Sequence, residues 1–472
     1  MKGSQRKIPF KIVSILLCFS LFGSFIEGGY AMTTEEEKKL GKQVALEIEG
    51  KVGMVRDLTL QTFIEKVGYS LVDQVGPTPF DFKFYVINAQ DPNAFAIPGG
   101  YIFVTTGLLV LAENEQEIAA VLSHEISHVT ARHISQLIEK SKRLSIASMI
   151  AILAAMIAGR GGAGSQAGAA MATATAQALA LKYTREMETD ADQNSLPYLV
   201  KAGYDPNGMI TFLNKIMRMS LALAPRVPPY LTTHPALEDR ISLLENLMQL
   251  TQKPSGPFRT IPNFKRVQIK AFVEEREPHV AMTHFQSLID ANSQDLNGYY
   301  GLGLAYRKMG RLDKSIEALQ RAYSLAPNDL DILKERGVAY FLSGKLEQAA
   351  EDFETVRSTP SAGGQKNDLL ILYYLGRTYQ EKGEFSKALP LFQRVQQEAP
   401  FFIDVYLNLG SVYGRLEQKG LSHFYFGKYF KLRGDTKNAL FHLKKAIEYL
   451  ERGSPEREEA QWDIRELTQR KS

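Results

Sequence analysis

His124-Glu125-Ile126-Ser127-His128 lies within residues 113–142, where Ile118, Val121, Leu122, Ile126 and Val129 recur at helical spacing. Two histidines at i and i+4 of one helix share a face, close enough for both imidazoles to bind one cation. Glu125 projects beside them, where its carboxylate can take a proton from a water molecule. By composition such a pattern arises in roughly one chain of this size in a hundred. The remaining ligands must come from elsewhere in the sequence.

They are found downstream in Glu188-Thr189-Asp190-Ala191-Asp192, within another helical stretch. Glu188 supplies a carboxylate as candidate third ligand. Asp192, one turn later, is placed to orient a ligand histidine from behind. Two imidazoles, one carboxylate and a water form the open arrangement of a catalytic zinc, so one Zn2+ per chain is expected. Cys18 is the single cysteine, and it falls in the leader described below, so the mature chain has neither a disulfide nor a thiolate ligand. His133 follows in the same predicted helix but, nine residues after His124, faces elsewhere and reads as structural or exposed.

At the N-terminus Lys2, Arg6, Lys7 and Lys11 precede an apolar stretch from Ile12 to Ile26, and Gly29-Tyr30-Ala31 puts small residues at the −3 and −1 positions. This layout predicts a secretory signal peptide over residues 1–31, cleaved after Ala31. A retained anchor is the alternative, and the apolar run is short for a spanning helix. Leu17 is too large for the residue preceding a lipidated cysteine. Apolar residues make up 44% of the chain and charged residues 23%, the balance of a globular protein of two or three domains. A net charge of +4 with scattered basic residues gives no nucleic-acid footprint.

Thr34-Glu35-Glu36-Glu37 reads as a capping box opening a helix to about Glu49. Residues 82–88 and 101–106 are β-rich, the second preceded by the turn Pro98-Gly99-Gly100. Residues 145–181 are dominated by Ala, Met, Ile and Gly and are expected to form two apolar helices about a hinge. They would act as a mobile lid or a surface-seeking hairpin with peripheral membrane contact, since each arm is near or below the ~20 residues needed to span a bilayer. Pro225, Pro228, Pro229 and Pro235, then Lys253-Pro254-Ser255-Gly256-Pro257, close a first domain at residues 32–255, followed by a linker at 256–266.

Beyond the linker the chain repeats. Gly303-Leu304-Ala305-Tyr306 with Gly310 recurs 34 residues on as Gly337-Val338-Ala339-Tyr340 with Gly344. Gly376-Arg377-Thr378-Tyr379 recurs at the same spacing as Gly410-Ser411-Val412-Tyr413, and an insertion of five residues separates the two pairs, placed within 358–365. The period resembles that of tetratricopeptide repeats, paired helices stacked into a superhelix whose concave surface holds a protein partner. Residues 267–292 and 421–450 are expected to extend the array, giving repeats over 267–452 and a charged C-terminal tail over 453–472. The expected fold is mainly α, helices with a small β-sheet followed by an α-superhelix.

Residues 34 to about 245 are similar to the gluzincin family of zinc metallopeptidases that includes the CAAX prenyl proteases and the HtpX heat-shock protease. The matching pieces are Asn93-Ala94-Phe95-Ala96-Ile97-Pro98-Gly99-Gly100, HEISH, Tyr183-Thr184-Arg185-Glu186-Met187-Glu188-Thr189-Asp190-Ala191-Asp192, and Thr233-His234-Pro235 followed by Arg240-Ile241. Asp190 departs from the pattern, which more often has Glu there. The resemblance implies that His124, His128 and Glu188 bind zinc, that Glu125 is the general base, and that Asp192 supports the reaction as a positioning or proton-donating carboxylate. It implies that the strand Tyr101, Ile102, Phe103, Val104, Thr105 pairs with an extended polypeptide substrate. His234 matches a position that, in the periplasmic repeat-bearing members, approaches the metal as a fourth ligand and holds the enzyme latent; an ordinary loop histidine is the other reading. Those members further imply a periplasmic location, near the outer membrane, with outer-membrane proteins as substrates and their assembly machinery as the partner of the repeats. A chaperone or adaptor working mainly through the repeats is the competing function.

Overall fold

A computed structural model describes residues 32–52, 54–140, 184–222, 228–250, 257–261, 264–359, 368–400 and 402–469. The predicted signal peptide and the Ala/Gly-rich segment 145–181 lie outside the described residues.

The first helix, α1, spans Thr34–Val52. Its capping box sits one residue earlier than the sequence suggested: Glu36 N donates to Thr33 Oγ1, and Thr33 N donates to Glu36 Oε2 at 2.8 Å. Helix α2 (Leu58–Val72) is capped by Asp57, whose carboxylate accepts from Leu60 N. Three strands follow, β1 (Lys83–Ile87), β2 (Ala94–Ile97) and β3 (Tyr101–Thr105), in the spatial order β1-β3-β2. β1 runs parallel to β3 from Lys83↔Tyr101 to Ile87↔Thr105, and β2 runs antiparallel from Ala94↔Val104 to Ile97↔Tyr101.

This topology corrects one expectation. Tyr101–Thr105 is the central strand, hydrogen-bonded on both sides, so it has no free edge to offer a substrate. β2, short and without the alternation that marks a strand, went unrecognised although its residues were singled out as a motif. It is the strand that packs most against the HEISH helix.

A short helix α3 (Thr106–Leu111), capped by the Thr105 hydroxyl, leads into α4 (Glu115–Thr130). Asn114 caps α4 by accepting from Glu117 N. The helix expected over 113–142 is broken. Arg132 adopts a left-handed backbone with φ 56°, and a separate helix α5 (His133–Lys140) departs from there. Residues 117–129 of α4 are all buried, because α2, β2 and two later helices, α6 (Arg185–Ala202) and α7 (Asn207–Ala222), surround it. Ile118, Val121, Leu122, Ile126 and Val129, the face anticipated from periodicity, join the main core with Ile64, Phe84, Leu199 and Phe212. Helices α8 (Pro229–Thr233) and α9 (Leu237–Leu250) complete this half of the molecule.

Stacked helices make up the second half. They are α10 (Phe264–Glu275), α11 (Pro278–Ala291), α12 (Leu296–Lys308), α13 (Leu312–Leu325), α14 (Leu330–Leu342), α15 (Leu346–Ser358), α16 (Leu369–Glu381), α17 (Phe385–Glu398), α18 (Ile403–Arg415), α19 (Lys419–Leu432), α20 (Thr436–Tyr449) and α21 (Pro455–Gln469). The repeated glycines are where paired helices touch. A Cβ at Gly337 would lie 2.6 Å from the Phe353 ring, and one at Gly376 2.8 Å from the Phe392 ring. Each glycine thus faces the residue sixteen positions on, as the repeat requires.

Two boundaries differ from expectation. The linker 256–266 is not a free tether, since Arg259 N donates to Gly203 O, Ile261 N donates to Glu115 Oε1, and α10 already begins at Phe264. Helix α10 belongs to both halves: Phe264, Val267 and Ala271 lie in the first core, while Ile269 and Val273 lie in the core of the first repeats. The charged tail over 453–472 is largely the helix α21, which buries Ala460 and Leu467 against α19 and α20 because its apolar residues recur at helical spacing between the charges.

Candidate active site

Helix α4 carries His124 and His128 one turn apart, and their Nε2 atoms lie 3.0 Å from each other. Helix α6 runs against α4, tied by Ser123 Oγ donating to Ser195 O at 2.8 Å, and Thr184 caps its start by accepting from Met187 N. This packing delivers Glu188, whose Oε2 is 3.5 Å from His124 Nε2 and whose Oε1 is 3.4 Å from His128 Nε2. His234, at the C-terminal cap of α8, reaches the same place. Its Nδ1 is 3.1 Å from Glu188 Oε1 and its Nε2 is 3.3 Å from Glu125 Oε1.

One donor atom from each of His124, His128, Glu188 and His234 lies within 4.8 Å of all the others, and all four side chains are buried. Glu125 is buried beside them, and its Oε2 has no hydrogen-bond partner among the described residues. Buried imidazoles whose nitrogens converge with a carboxylate are costly to desolvate unless a cation joins them. The donor set of three imidazoles and a carboxylate fits a divalent ion such as zinc.

A buried arginine stands behind this cluster. Arg240, from α9, donates from Nε to Asp192 Oδ2 at 2.7 Å and from Nη2 to Asp192 Oδ1 at 2.8 Å, and its Nη1 lies 2.7 Å from Glu188 Oε2. Asp192 Oδ1 in turn is 2.9 Å from His124 Nδ1, which leaves Nε2 of that ring for the cluster. Arg240 falls in a motif of the sequence, but nothing there marks its role, since a lone arginine in an amphipathic helix shows no signal of burial.

The electrostatics follow from this layout. Burial disfavours the Glu188 carboxylate anion, yet His234 and Arg240 hold it well below the usual carboxylate range. Asp192 is likewise kept low by Arg240 and His124 against the effect of burial. Burial drives His128 well below the usual imidazole range, leaving a neutral ring. His124 is subject to burial and to Arg240, both of which lower it, but Asp192 and Glu188 prevail and raise it to about 9. A cation bound there displaces that proton. Burial raises Glu125, giving it a proton affinity above that of an exposed glutamate.

His133, read from the sequence as structural or exposed and facing elsewhere, is buried and lies against His128. His133 begins α5, after the break at Arg132, and its Nδ1 lies 2.9 Å from His128 Nδ1 while its Nε2 is 3.2 Å from Asp190 Oδ2. Tyr101–Thr105 contributes no side chain to this cluster.

Comparison with known proteins places this geometry. The profile of peptidase family M48 matches residues 58–248. The chain carries an M48 peptidase domain. Tetratricopeptide repeat profiles match residues 267–329, 300–363 and 371–401. A putative beta-barrel assembly-enhancing protease of Vibrio cholerae is 29% identical over 312 residues, covering 64% of this chain and 63% of its own. The beta-barrel assembly-enhancing protease of Escherichia coli is 30% identical over 222 residues, covering 46% of this chain and 45% of its own. The mitochondrial metalloendopeptidase OMA1 of Schizosaccharomyces pombe is 29% identical over 194 residues, 40% of this chain and 53% of its own. The matched region thus spans about half to two thirds of the length of these relatives. The solved TPR protein YrrB overlays 39% of this chain and 92% of its own at 17% identity, with a TM-score of 0.31. The M48 profile takes in α2 through α9, and so every residue of the buried cluster.

Proposed function

We propose that the chain is a zinc-dependent endopeptidase acting on extended polypeptides of the cell envelope. The observation that carries this reading is the convergence of His124 Nε2, His128 Nε2 and the Glu188 carboxylate with the Glu125 carboxylate alongside. A zinc ion at these residues would supply a Lewis acid that polarises the scissile carbonyl and acidifies a water. Glu125, its proton affinity raised by burial, would serve as the general base, taking up a proton from a water and giving it to the leaving amine. Asp192 and Arg240 hold His124 in one tautomer and orientation while this happens. β2, the outer strand lying against α4, is the edge an extended substrate would join by main-chain hydrogen bonds.

Export by the N-terminal leader, a periplasmic location near the outer membrane, outer-membrane proteins as substrates and an assembly machine as partner are part of the same proposal. They are supported by the leader's layout and by the relatives named for beta-barrel assembly. The first helices of the repeats are partly taken up by the chain itself: Lys270 of α10 bonds to Asp57 and to Glu335 of α14, and Leu58 packs with Leu333 and Leu370. A partner must therefore use the remaining surface of the array.

A second reading, a chaperone or adaptor with latent proteolysis, is favoured by one contact. His234 reaches both Glu188 and Glu125, so in this arrangement it takes the place that a substrate carbonyl or water needs. Metal analysis with digestion of casein by the parent and by Glu125→Gln separates the two. The peptidase reading expects stoichiometric zinc in both and cleavage in the parent only; a variant that retains every activity of the parent would defeat it.

A further inference from the structure

The two ligand histidines of α4 are backed differently. His124 Nδ1 meets Asp192 directly, the usual arrangement of a carboxylate behind a ligand imidazole. Behind the His128 ring stands a second imidazole. His128 Nδ1 meets His133 Nδ1 at 2.9 Å, and His133 Nε2 meets Asp190 Oδ2 at 3.2 Å.

We propose that Asp190, His133 and His128 form one hydrogen-bonded row that fixes His128 as a metal ligand, with His133 as its positioning residue. The argument is one of proton placement, and it rests on reading the cluster as a metal site. For His128 to present Nε2 to a cation, its hydrogen must sit on Nδ1, which makes that atom a donor. His133 Nδ1 must then accept, so the His133 hydrogen sits on Nε2 and points at a carboxylate acceptor, Asp190. Every atom in the row has a single consistent role, and the row ends at a carboxylate half-exposed to solvent.

The fold is built to place His133 there. In a continuous helix, five residues on from His128, the His133 ring would turn away from it. The left-handed backbone at Arg132 ends α4 and swings His133 back beneath His128. Arg132 is held in that conformation by its side chain, whose Nε donates to the buried Glu37 Oε2 at 2.8 Å and whose Nη2 donates to Met32 O. A non-glycine residue in the left-handed region persists only where its surroundings over-determine it, and α1 supplies that constraint. Asp190 is half-exposed, so a carboxylate one methylene longer has room to turn toward the same nitrogen.

The test is the zinc dissociation constant of the full chain, measured by competition with a chromophoric chelator, with unfolding of the metal-free protein followed by circular dichroism. His133→Phe keeps a ring but removes the acceptor, and is expected to weaken zinc binding by about 10- to 100-fold. Asp190→Asn is expected to weaken it by a smaller factor, and Asp190→Glu to hold it within about twofold of the parent. The Asp190 variants, half-exposed, decide the matter if His133→Phe does not fold. Parental affinity in both His133→Phe and Asp190→Asn overturns the inference, as does an Asp190→Glu loss equal to that of Asp190→Asn, which would mark packing as the cause. A parent that binds no zinc instead overturns the peptidase reading beneath it.

Discussion

His234 Nδ1 stands 3.1 Å from Glu188 Oε1 while its Nε2 stands 3.3 Å from Glu125 Oε1, so a single imidazole spans the proposed metal-ligand carboxylate and the proposed general base. Tyr230 stacks on the ring at 4.6 Å between centroids and fixes its plane. On the proposed function, a side chain in that position would compete with substrate for the same space.

His234→Ala is therefore expected to raise casein cleavage several-fold while leaving zinc stoichiometry at one, because Glu188, His124 and His128 remain. Rates of the variant at or below those of the parent would remove the latent-switch reading.

Arg240 neutralises two buried carboxylates at once. Arg240→Met keeps much of the volume but leaves Asp192 and Glu188 without their cation, a loss expected to destabilise the metal-free protein by ~3–5 kcal/mol. Urea denaturation of the two proteins in chelator measures it, and a difference under ~1 kcal/mol would show that Arg240 is dispensable for the fold.

A pH dependence is expected where the two halves join. Glu335 is buried, which opposes its ionisation, but Lys270 and Arg307 hold its carboxyl down to about 2 in the folded chain, against an ordinary 4.5. With the folded value below the unfolded one, this stabilisation is fully present above about pH 4.5 and is lost as pH falls toward 2. Its size is on the order of 3 kcal/mol at neutral pH. Glu335→Gln should thus unfold at lower urea than the parent at pH 6, and the gap should narrow by pH 3; a gap independent of pH would assign the stabilisation elsewhere.

The repeats predict a stabilising substitution. Gly310, Gly344 and Gly383 close their helix pairs in the left-handed region with φ of 72–77°, and each follows its repeat glycine by seven residues. The matching position after Gly410 is Glu417, at φ 61°. Glu417→Gly relieves the Cβ strain and is expected to add ~0.5–1 kcal/mol to stability. An unfolding midpoint equal to or below the parent's would mean that the Glu417 side chain offsets the strain.

Much of this site was legible before any tertiary contact was known. HEISH and Glu188 could be paired as one candidate site because helical spacing is a local property, and a metal needs its ligands in a small set of types. The buried face of α4 followed from periodicity for the same reason. Arg240 and the role of His133 were not legible, since burial of a charged residue and a helix break at a non-glycine residue leave no mark on composition or spacing.

By itself, then, the amino-acid sequence determined the ligand helix, the carboxylate helix and the 34-residue repeat, all of which are set by interactions within a few turns of the chain. Tertiary structure decided the rest. It placed β3 at the centre of the sheet and not at its edge, because strand order depends on pairings between segments that have no common period. It brought His234 against Glu125 and Glu188, and it made α10 a wall of both cores. It turned the charged C-terminus into a packed helix. Those outcomes depend on which surfaces meet, and that is settled only when the apolar faces of distant segments exclude water together.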